Sequence, residues 1–350
     1  MIKAYFFVNP LGPPKAADYQ HCVISFAEGL KELGSQIDAN INYYKIIDDE
    51  VSENYLFNQK KIDNIEEYNN YDIIVTGYTA GIPKNIIRNK NRTYKTIMLD
   101  WSDGLYTHIK KNNVLDPTAG NYDLYFITSY NKELLKSIVL KYSNVYPLAF
   151  SLTHRIINTI ETLDNNKNFS DRERQLLYPH RINHYIRNFM LKIYNQYSGL
   201  KTMYNDNFNN PKEGTIEYQH WHQSGRRHSL NFYNTLLNTK ICDCTGGYIF
   251  IAHNKDYACQ VDSFKLWEAF ASGCAVITID FDRYDIELPH QPKNGVHYIG
   301  ITNNEQEVRS IINKIINGEI DIDKIAREGK KWALEHYSPK GLANYILSKI

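Results

Sequence analysis

The chain has 350 residues, with 40 Lys and Arg against 39 Asp and Glu, a formal charge of +1 at neutral pH and 43% hydrophobic residues. At roughly 150 residues per domain, that length predicts about two domains with sizeable cores. The balanced charge excludes a basic field built for general nucleic-acid binding, and no apolar run approaches the roughly 20 residues that a membrane-spanning helix needs.

Residues 1–8 read as a first strand and not as a secretory leader. Its apolar stretch, 3–9, runs into the loop Pro10-Leu11-Gly12-Pro13-Pro14. Apolar residues at 22, 23, 26, 27, 30 and 33 trace one face of a helix over 21–33, which Gly34 stops. Short apolar runs at 37–46, 71–77 (YDIIVTG), 95–100 (KTIMLD), 122–129 (YDLYFITS) and 145–150 predict strands, with a helix over 132–140. Such alternation predicts parallel strands joined by crossover helices.

From 151 to 215 the pattern changes. Residues 164–171 and 205–214 are polar loops, and 178–197 reads as a polar helix with an apolar stripe at Ile182, Ile186, Phe189, Met190 and Ile193. The alternation then resumes, with strands at 240–244, 248–253, 274–281 (CAVITIDF) and 296–301. Helices are expected at 264–272, 304–316, 323–336 and 340–350, the last two broken at Ser338-Pro339. The prediction is an α/β chain of two Rossmann-like, doubly wound domains facing a cleft. The N-terminal domain covers 1–153, a helical linker region 154–215 and the C-terminal domain 216–330, with terminal helices over 331–350 packing back on the N-terminal domain. Ligands of such sheets bind at the carboxyl ends of the strands.

The sharpest local pattern is the run from Asp262 to Ile277, DSFKLWEAFASGCAVI. Asp262 or Ser263 can cap the helix that follows, whose first amides and positive dipole end suit a diphosphate. Lys265 adds charge in the first turn. Glu268 lies about one and a half turns further on, where a carboxylate can accept two hydrogen bonds from the vicinal diol of a ribose. The other reading is an ordinary strand-following helix with a surface glutamate. Arg226 and Arg227, after His220-Trp221-His222-Gln223-Ser224-Gly225, are forks suited to phosphate or a solvent-facing pair. His220, His222 and His228 have no carboxylate or cysteine to complete a metal set, His180 and His184 lack an H-E-x-x-H frame, and no metal or resident cofactor is expected. Five cysteines without a C-x-x-C pair fit a reducing compartment, and Cys242-Asp243-Cys244 is too tight for zinc. No G-x-G-x-x-G follows the first strand, which disfavours a dinucleotide-dependent dehydrogenase.

Asp262-Ser263, Glu268-Ala269, Gly273 and Val276-Ile277 match the "DS-x-R-x-x-E-A-x-x-x-G-x-x-P-V-I" run of GT-B glycosyltransferases, and the segment resembles their exostosin-like and family 4-like donor-binding domains. Arg226-Arg227 and residues 236–247 (LLNTKICDCTGG) resemble the upstream run of exostosin-like domains, and Glu335-His336-Tyr337-Ser338-Pro339 the closing helix region. The likeness spans most of 220–340. The chain departs from it at Gln260, Lys265 and Ala275, where the patterns have an acidic residue, an arginine and a proline. The resemblance implies a metal-independent transferase that moves a sugar from a nucleotide-diphosphate sugar to an acceptor hydroxyl. Gly246, Asp262, Ser263, Phe264, Lys265, Glu268, Arg226 and above all Arg227 would hold the donor. By likeness to family 1 enzymes, His21 would be the base, oriented by Asp100 or Asp103, with Asp18 as a rival. Gly12, Pro13, Tyr78 and Trp101 would line the acceptor side. Inversion or retention stays open, as does the acceptor: a glycan, a lipid-linked intermediate, a protein or a small molecule. The alternatives are a non-catalytic nucleotide-sugar binder or a sugar-nucleotide epimerase. The expected location is cytoplasmic, with the basic stretch 84–95, including Arg88 and Arg92, offering a transient membrane contact.

Overall fold

The computed structural model describes residues 1–8, 21–41, 57–78, 80–101, 120–164, 167–180, 185–198, 200, 202–204, 212, 215, 230–252 and 255–350. The first sheet has seven strands: β1 Lys3–Phe7, β2 Gln36–Ala39, β3 Asn58–Gln59, β4 Ile73–Gly77, β5 Lys95–Asp100, β6 Leu124–Ile127 and β7 Val145–Pro147. Their spatial order is β3-β2-β1-β4-β5-β6-β7, and every neighbouring pair is parallel. Runs such as IIVTG and LYFI are buried along their whole length, as strands covered on both faces must be. Helices α1 His21–Glu32, α2 Lys84–Ile87 and α3 Lys132–Lys141 belong to this half. The strand expected over 37–46 is short: β2 ends at Ala39, because the Asn40 side chain bonds both the N–H and the carbonyl of Val8.

The second sheet is β8 Arg174–Tyr178, β9 Thr202–Tyr204, β10 Thr239–Asp243, β13 Ala275–Ile279 and β14 Ile299–Ile301, in the order β14-β13-β10-β8-β9 and again all parallel. The hairpin β11 Tyr248–Ala252 with β12 Lys255–Cys259 stands apart as an antiparallel pair. The helices here are α4 His154–Leu163, α5 Tyr185–Tyr194, α6 Leu230–Leu237, α7 Phe264–Ala271, α8 Glu305–Ile316, α9 Ile322–Tyr337 and α10 Pro339–Leu347. Two expectations change. The stretch read as a helical linker supplies β8 and β9, and the helix expected over 178–197 occupies only 185–194. The charged residues Arg172 and Arg174 precede the short apolar run Leu176-Leu177-Tyr178 and disguise an interior strand, between β10 and β9. The strand expected over 248–253 runs over Tyr248–Ala252 and pairs with Lys255–Cys259 as the hairpin.

Each sheet reverses its winding once: between β1 and β4 in the first, and between β8 and β10 in the second. Those reversals open a crevice at the carboxyl ends of the strands, where open α/β sheets take their ligands.

The chain crosses between the halves at two adjacent places. After β7 it passes through Leu148 to Thr153, and after α9 it returns through Ser338 into α10, with Leu152 N donating to Tyr337 O at 2.8 Å. Ser338 caps α10 through Gly341 N, and Pro339 sits at the start of that helix, where its missing N–H costs nothing. Tyr337 stacks on Trp267 at 4.1 Å in the second core, while Leu342, Ala343, Tyr345 and Ile346 enter the first core beside Val23, Phe26, Ala27 and Leu30 of α1. The terminal helix thus packs back on the N-terminal half. The approach is close at Gly29, where an added Cβ would stand 2.0 Å from the carbonyl oxygen of Pro339. A Gly29→Val substitution is therefore expected to push α10 away and to cost about 1–3 kcal/mol by overpacking. Urea unfolding checks this, with the midpoint falling.

Candidate functional site

The crevice of the second sheet is built from three chain segments. Pro179 and His180 follow β8, residues 244–247 follow β10, and α7 starts beside both. Cys244 Sγ donates to Lys265 O at 3.5 Å, and Lys265 Nζ bonds Pro179 O. Gly247 takes φ +96° and has Cys259 O 2.5 Å from where a Cβ would stand, so the turn into the hairpin requires glycine there. Gly246 is next to it, packed against the carbonyl of Val261.

Ser263 occupies the N-cap of α7 in an extended conformation and makes no side-chain cap bond. Asp262, the other capping candidate, is turned elsewhere. Its Oδ2 accepts from Phe150 N at 2.8 Å and its Oδ1 from Trp267 Nε1 at 2.6 Å. Glu268 is fully buried, and its Oε1 accepts from Tyr233 Oη at 3.1 Å.

The densest polar cluster lies at the switch point itself. Asp243, the last residue of β10, is fully buried. It accepts from His180 Nε2 at 3.0 Å, from Tyr194 Oη at 2.6 Å and from Thr245 N at 2.7 Å. Burial alone raises a carboxyl pKa, yet these donated bonds hold Asp243 below its ordinary value and so ionised. Burial, with the nearby Lys265 ammonium, pushes His180 down to about 4 despite the carboxylate beside it. The pair at neutral pH is thus a carboxylate and a neutral ring. The sequence reading missed Asp243, Tyr194 and Thr245. The one available signal was an aspartate closing an apolar strand just before Thr245-Gly246-Gly247.

On the facing side, His21 heads α1 at the carboxyl end of β1. It is 5% exposed, its Nε2 meets Ser151 O at 3.0 Å, and its ring packs edge-on against Phe264 with centroids 4.6 Å apart. A carbonyl only accepts, so Nε2 carries the proton. Asp100 closes β5 and accepts from Tyr125 Oη. Trp101 is buried over Gly77, where an added Cβ would stand 2.2 Å from the indole, and its ring meets Tyr78 edge-on at 5.2 Å. Of these two rings Tyr78 is the exposed one, at 43%. Arg226, Arg227, Gly12, Pro13, Asp18, Asp103, His184, His220, His222 and His228 lie outside the described residues. Among the described residues no group of three or more His, Cys, Asp or Glu is placed to hold a metal ion. Within the basic stretch, Arg92 is spent on a two-pronged bond to Asp123, at 2.6 and 3.0 Å.

No family model matches the chain, and no curated protein matches it in sequence. Among solved structures, Anabaena Alr3699/HepE in complex with UDP-glucose superposes with a TM-score of 0.54 over 99% of both chains, at 10% identity. The same Anabaena protein in complex with UDP gives 0.51 over 99% of both chains, again at 10% identity. The likeness is one of fold, and with the two parallel sheets it makes this chain a GT-B architecture.

Two buried carboxyls on the seam between the halves are held well above their ordinary range by burial, Asp262 and Glu28 both up to about 7. Glu28 Oε2 accepts from His154 N at 2.8 Å, while Oε1 is buried with no partner. A carboxyl raised in this way favours the folded state below its ordinary pKa, and that contribution is lost as pH rises through about 7. Stability in urea is expected to decline between pH 5 and 8. Glu28→Gln keeps an acceptor for His154 N but cannot ionise, so it should raise the Tm at pH 8, change it little at pH 5, and flatten the decline.

Proposed function

We propose that this protein is a glycosyltransferase that takes a nucleotide-diphosphate sugar on its C-terminal half and an acceptor hydroxyl on its N-terminal half. The observation that carries the reading is the meeting of His21 and Phe264, which brings the N-termini of α1 and α7 together at the carboxyl ends of both sheets. A donor seated on α7 would then present its sugar to whatever α1 and the β4–β5 ends hold.

In this reading the diphosphate lies against the first amides of α7 with Ser263 and Lys265, and Arg226 and Arg227 join it as the resemblance implies. Negative charge builds on the leaving diphosphate as the sugar bond breaks. Amides and a cation fixed beforehand stabilise that charge without reorganising. A resident metal or cofactor is unnecessary on this account. Glu268 holds the ribose, with Tyr233 Oη fixing the rotamer of its carboxylate. Gly246 would contact the donor as the resemblance implies.

His21 serves as base if the reaction inverts. Its Nε2 proton bonds Ser151 O, and that backbone carbonyl orients the ring. Tyr78, the exposed ring at the end of β4, gives the acceptor a flat apolar face, with Trp101 supporting it from behind. Gly12 and Pro13, in the loop before α1, complete this side. The five cysteines are all buried and unpaired, which supports a reducing, cytoplasmic setting.

The test is a thermal-shift panel of nucleoside diphosphates and sugar nucleotides. The uridine pair comes first, because the Anabaena protein was solved with UDP and with UDP-glucose. At a ligand concentration about 100 times the Kd, native-state binding adds about 2.7 kcal/mol, a shift of a few degrees for a chain this long. One base should stand out. Glu268→Ala should abolish most of that shift, and Lys265→Ala should weaken the diphosphate alone by about tenfold. A panel with no shift at all would overturn the donor site, and full transfer activity in Glu268→Ala would overturn the ribose role.

A further inference from the structure

His180 and Thr245 have no part in the reading above, yet they sit at the switch point of the second sheet. His180 is 2% exposed and Nδ1 is buried with no hydrogen-bond partner. Thr245 Oγ1, also buried, has none either. Both residues hang from one oxygen: Asp243 Oδ1 takes His180 Nε2 at 3.0 Å and Thr245 N at 2.7 Å. Buried polar atoms are almost always satisfied, so two orphans around a single carboxylate oxygen call for a ligand.

Chemistry narrows what that ligand is. The carboxylate can only accept, so Nε2 bears the proton and Nδ1 presents a bare lone pair. A lone pair rejects a phosphate oxygen, which is itself an acceptor, and takes a hydroxyl. Thr245 Oγ1 can both give and receive, which suits a second oxygen of the same polyol. Position narrows it again. Lys265, in the first turn of α7, bonds the carbonyl of Pro179, the residue before His180, and in the donor-site reading it marks the diphosphate end. Glu268 lies further along the helix, on the ribose side. With the ribose assigned to Glu268, the polyol left in a nucleotide sugar is the transferred sugar, at the other end of the diphosphate.

We infer that His180 Nδ1 and Thr245 Oγ1 bind hydroxyls of the transferred sugar, with Asp243 and Tyr194 fixing the tautomer and orientation of the histidine. His180 and Thr245 are thus specificity residues for the sugar, and Asp243 and Tyr194 are positioning residues. This rests on the donor-site reading proposed above.

Two conservative substitutions separate the lone pair from the scaffold. In His180→Gln the amide nitrogen keeps the bond to Asp243, but no acceptor remains at the place of Nδ1. In His180→Asn the amide oxygen stands close to where Nδ1 stood. Binding of UDP and of UDP-glucose, or of whichever matched pair gives the largest shift in the panel, is measured by calorimetry for each variant. His180→Gln is expected to bind the sugar nucleotide about tenfold more weakly, the size of one neutral hydrogen bond, with the nucleoside diphosphate unchanged within twofold. His180→Asn should stay within about threefold for both. Thr245→Val keeps the backbone bond to Asp243 and should also weaken the sugar nucleotide alone, a result that stands even if the histidine variants fold poorly. Equal weakening of both ligands, no weakening of either, or equal loss in the Asn and Gln variants overturns the inference. If the wild-type protein binds nucleoside diphosphates but gains nothing from the attached sugar, this inference falls alone. If it binds no nucleotide, the donor site falls with it.

Discussion

One buried carboxyl ties the molecule together. Asp262 accepts from the backbone of Phe150 in the crossing segment and from the indole of Trp267 in the second core, and its own chain position fixes where α7 begins. Trp267 in turn stacks on Tyr337, the residue from which the chain returns to the first half. The two crossings, helix α7 and the aromatic core therefore share a single polar anchor. An unpaired charge at such a depth would be very costly, and burial holds this carboxyl up to about 7. The seam is thereby coupled to pH near neutrality.

That anchor explains the geometry of the cleft. Each sheet on its own offers an ordinary switch-point crevice. What makes them one site is that the crossing segment is held on both sides, by Asp262 from the second half and by Ser25 and Glu28 of α1 from the first. His21 and Phe264, the opening residues of α1 and α7, meet as a consequence. A second contact, where Asn131 Nδ2 donates to Tyr284 O while its Oδ1 caps α3, closes the far edge of the seam. Domain reorientation in this chain has to break bonds in both places.

The fold was legible where the physics is local. Fully buried parallel strands are short apolar runs, and α1, β5 and the break at Ser338-Pro339 follow directly from such runs and from proline's missing donor. β8 was hidden because its apolar core is three residues long and preceded by arginines, so only its ladders to β10 and β9 reveal it. The site was legible by type and not by partner. An aspartate before a helix reads as a cap, but nothing in the sequence says that Phe150, more than 100 positions earlier, will claim its carboxylate. The same holds for Glu268, whose partner Tyr233 comes from α6, and for Trp101, whose indole is buried over Gly77. Long-range pairing decides which polar groups are left to act, and spacing carries no trace of it.

The division of labour around Lys265 follows from that pairing. Two cations side by side would repel, and burial already disfavours a charged ring, so burial and the ammonium keep His180 neutral against the opposing pull of the Asp243 carboxylate. Asp243 sets the geometry of the ring. By taking the Nε2 proton it fixes the tautomer, and by taking Thr245 N it sets the turn toward Gly246. The crevice then offers two distinct chemistries within a few residues: positive charge and helix amides for an anion, and a lone pair with a hydroxyl for a polyol. A nucleotide sugar has both groups joined by one bond, and it is the breaking of that bond that separates them.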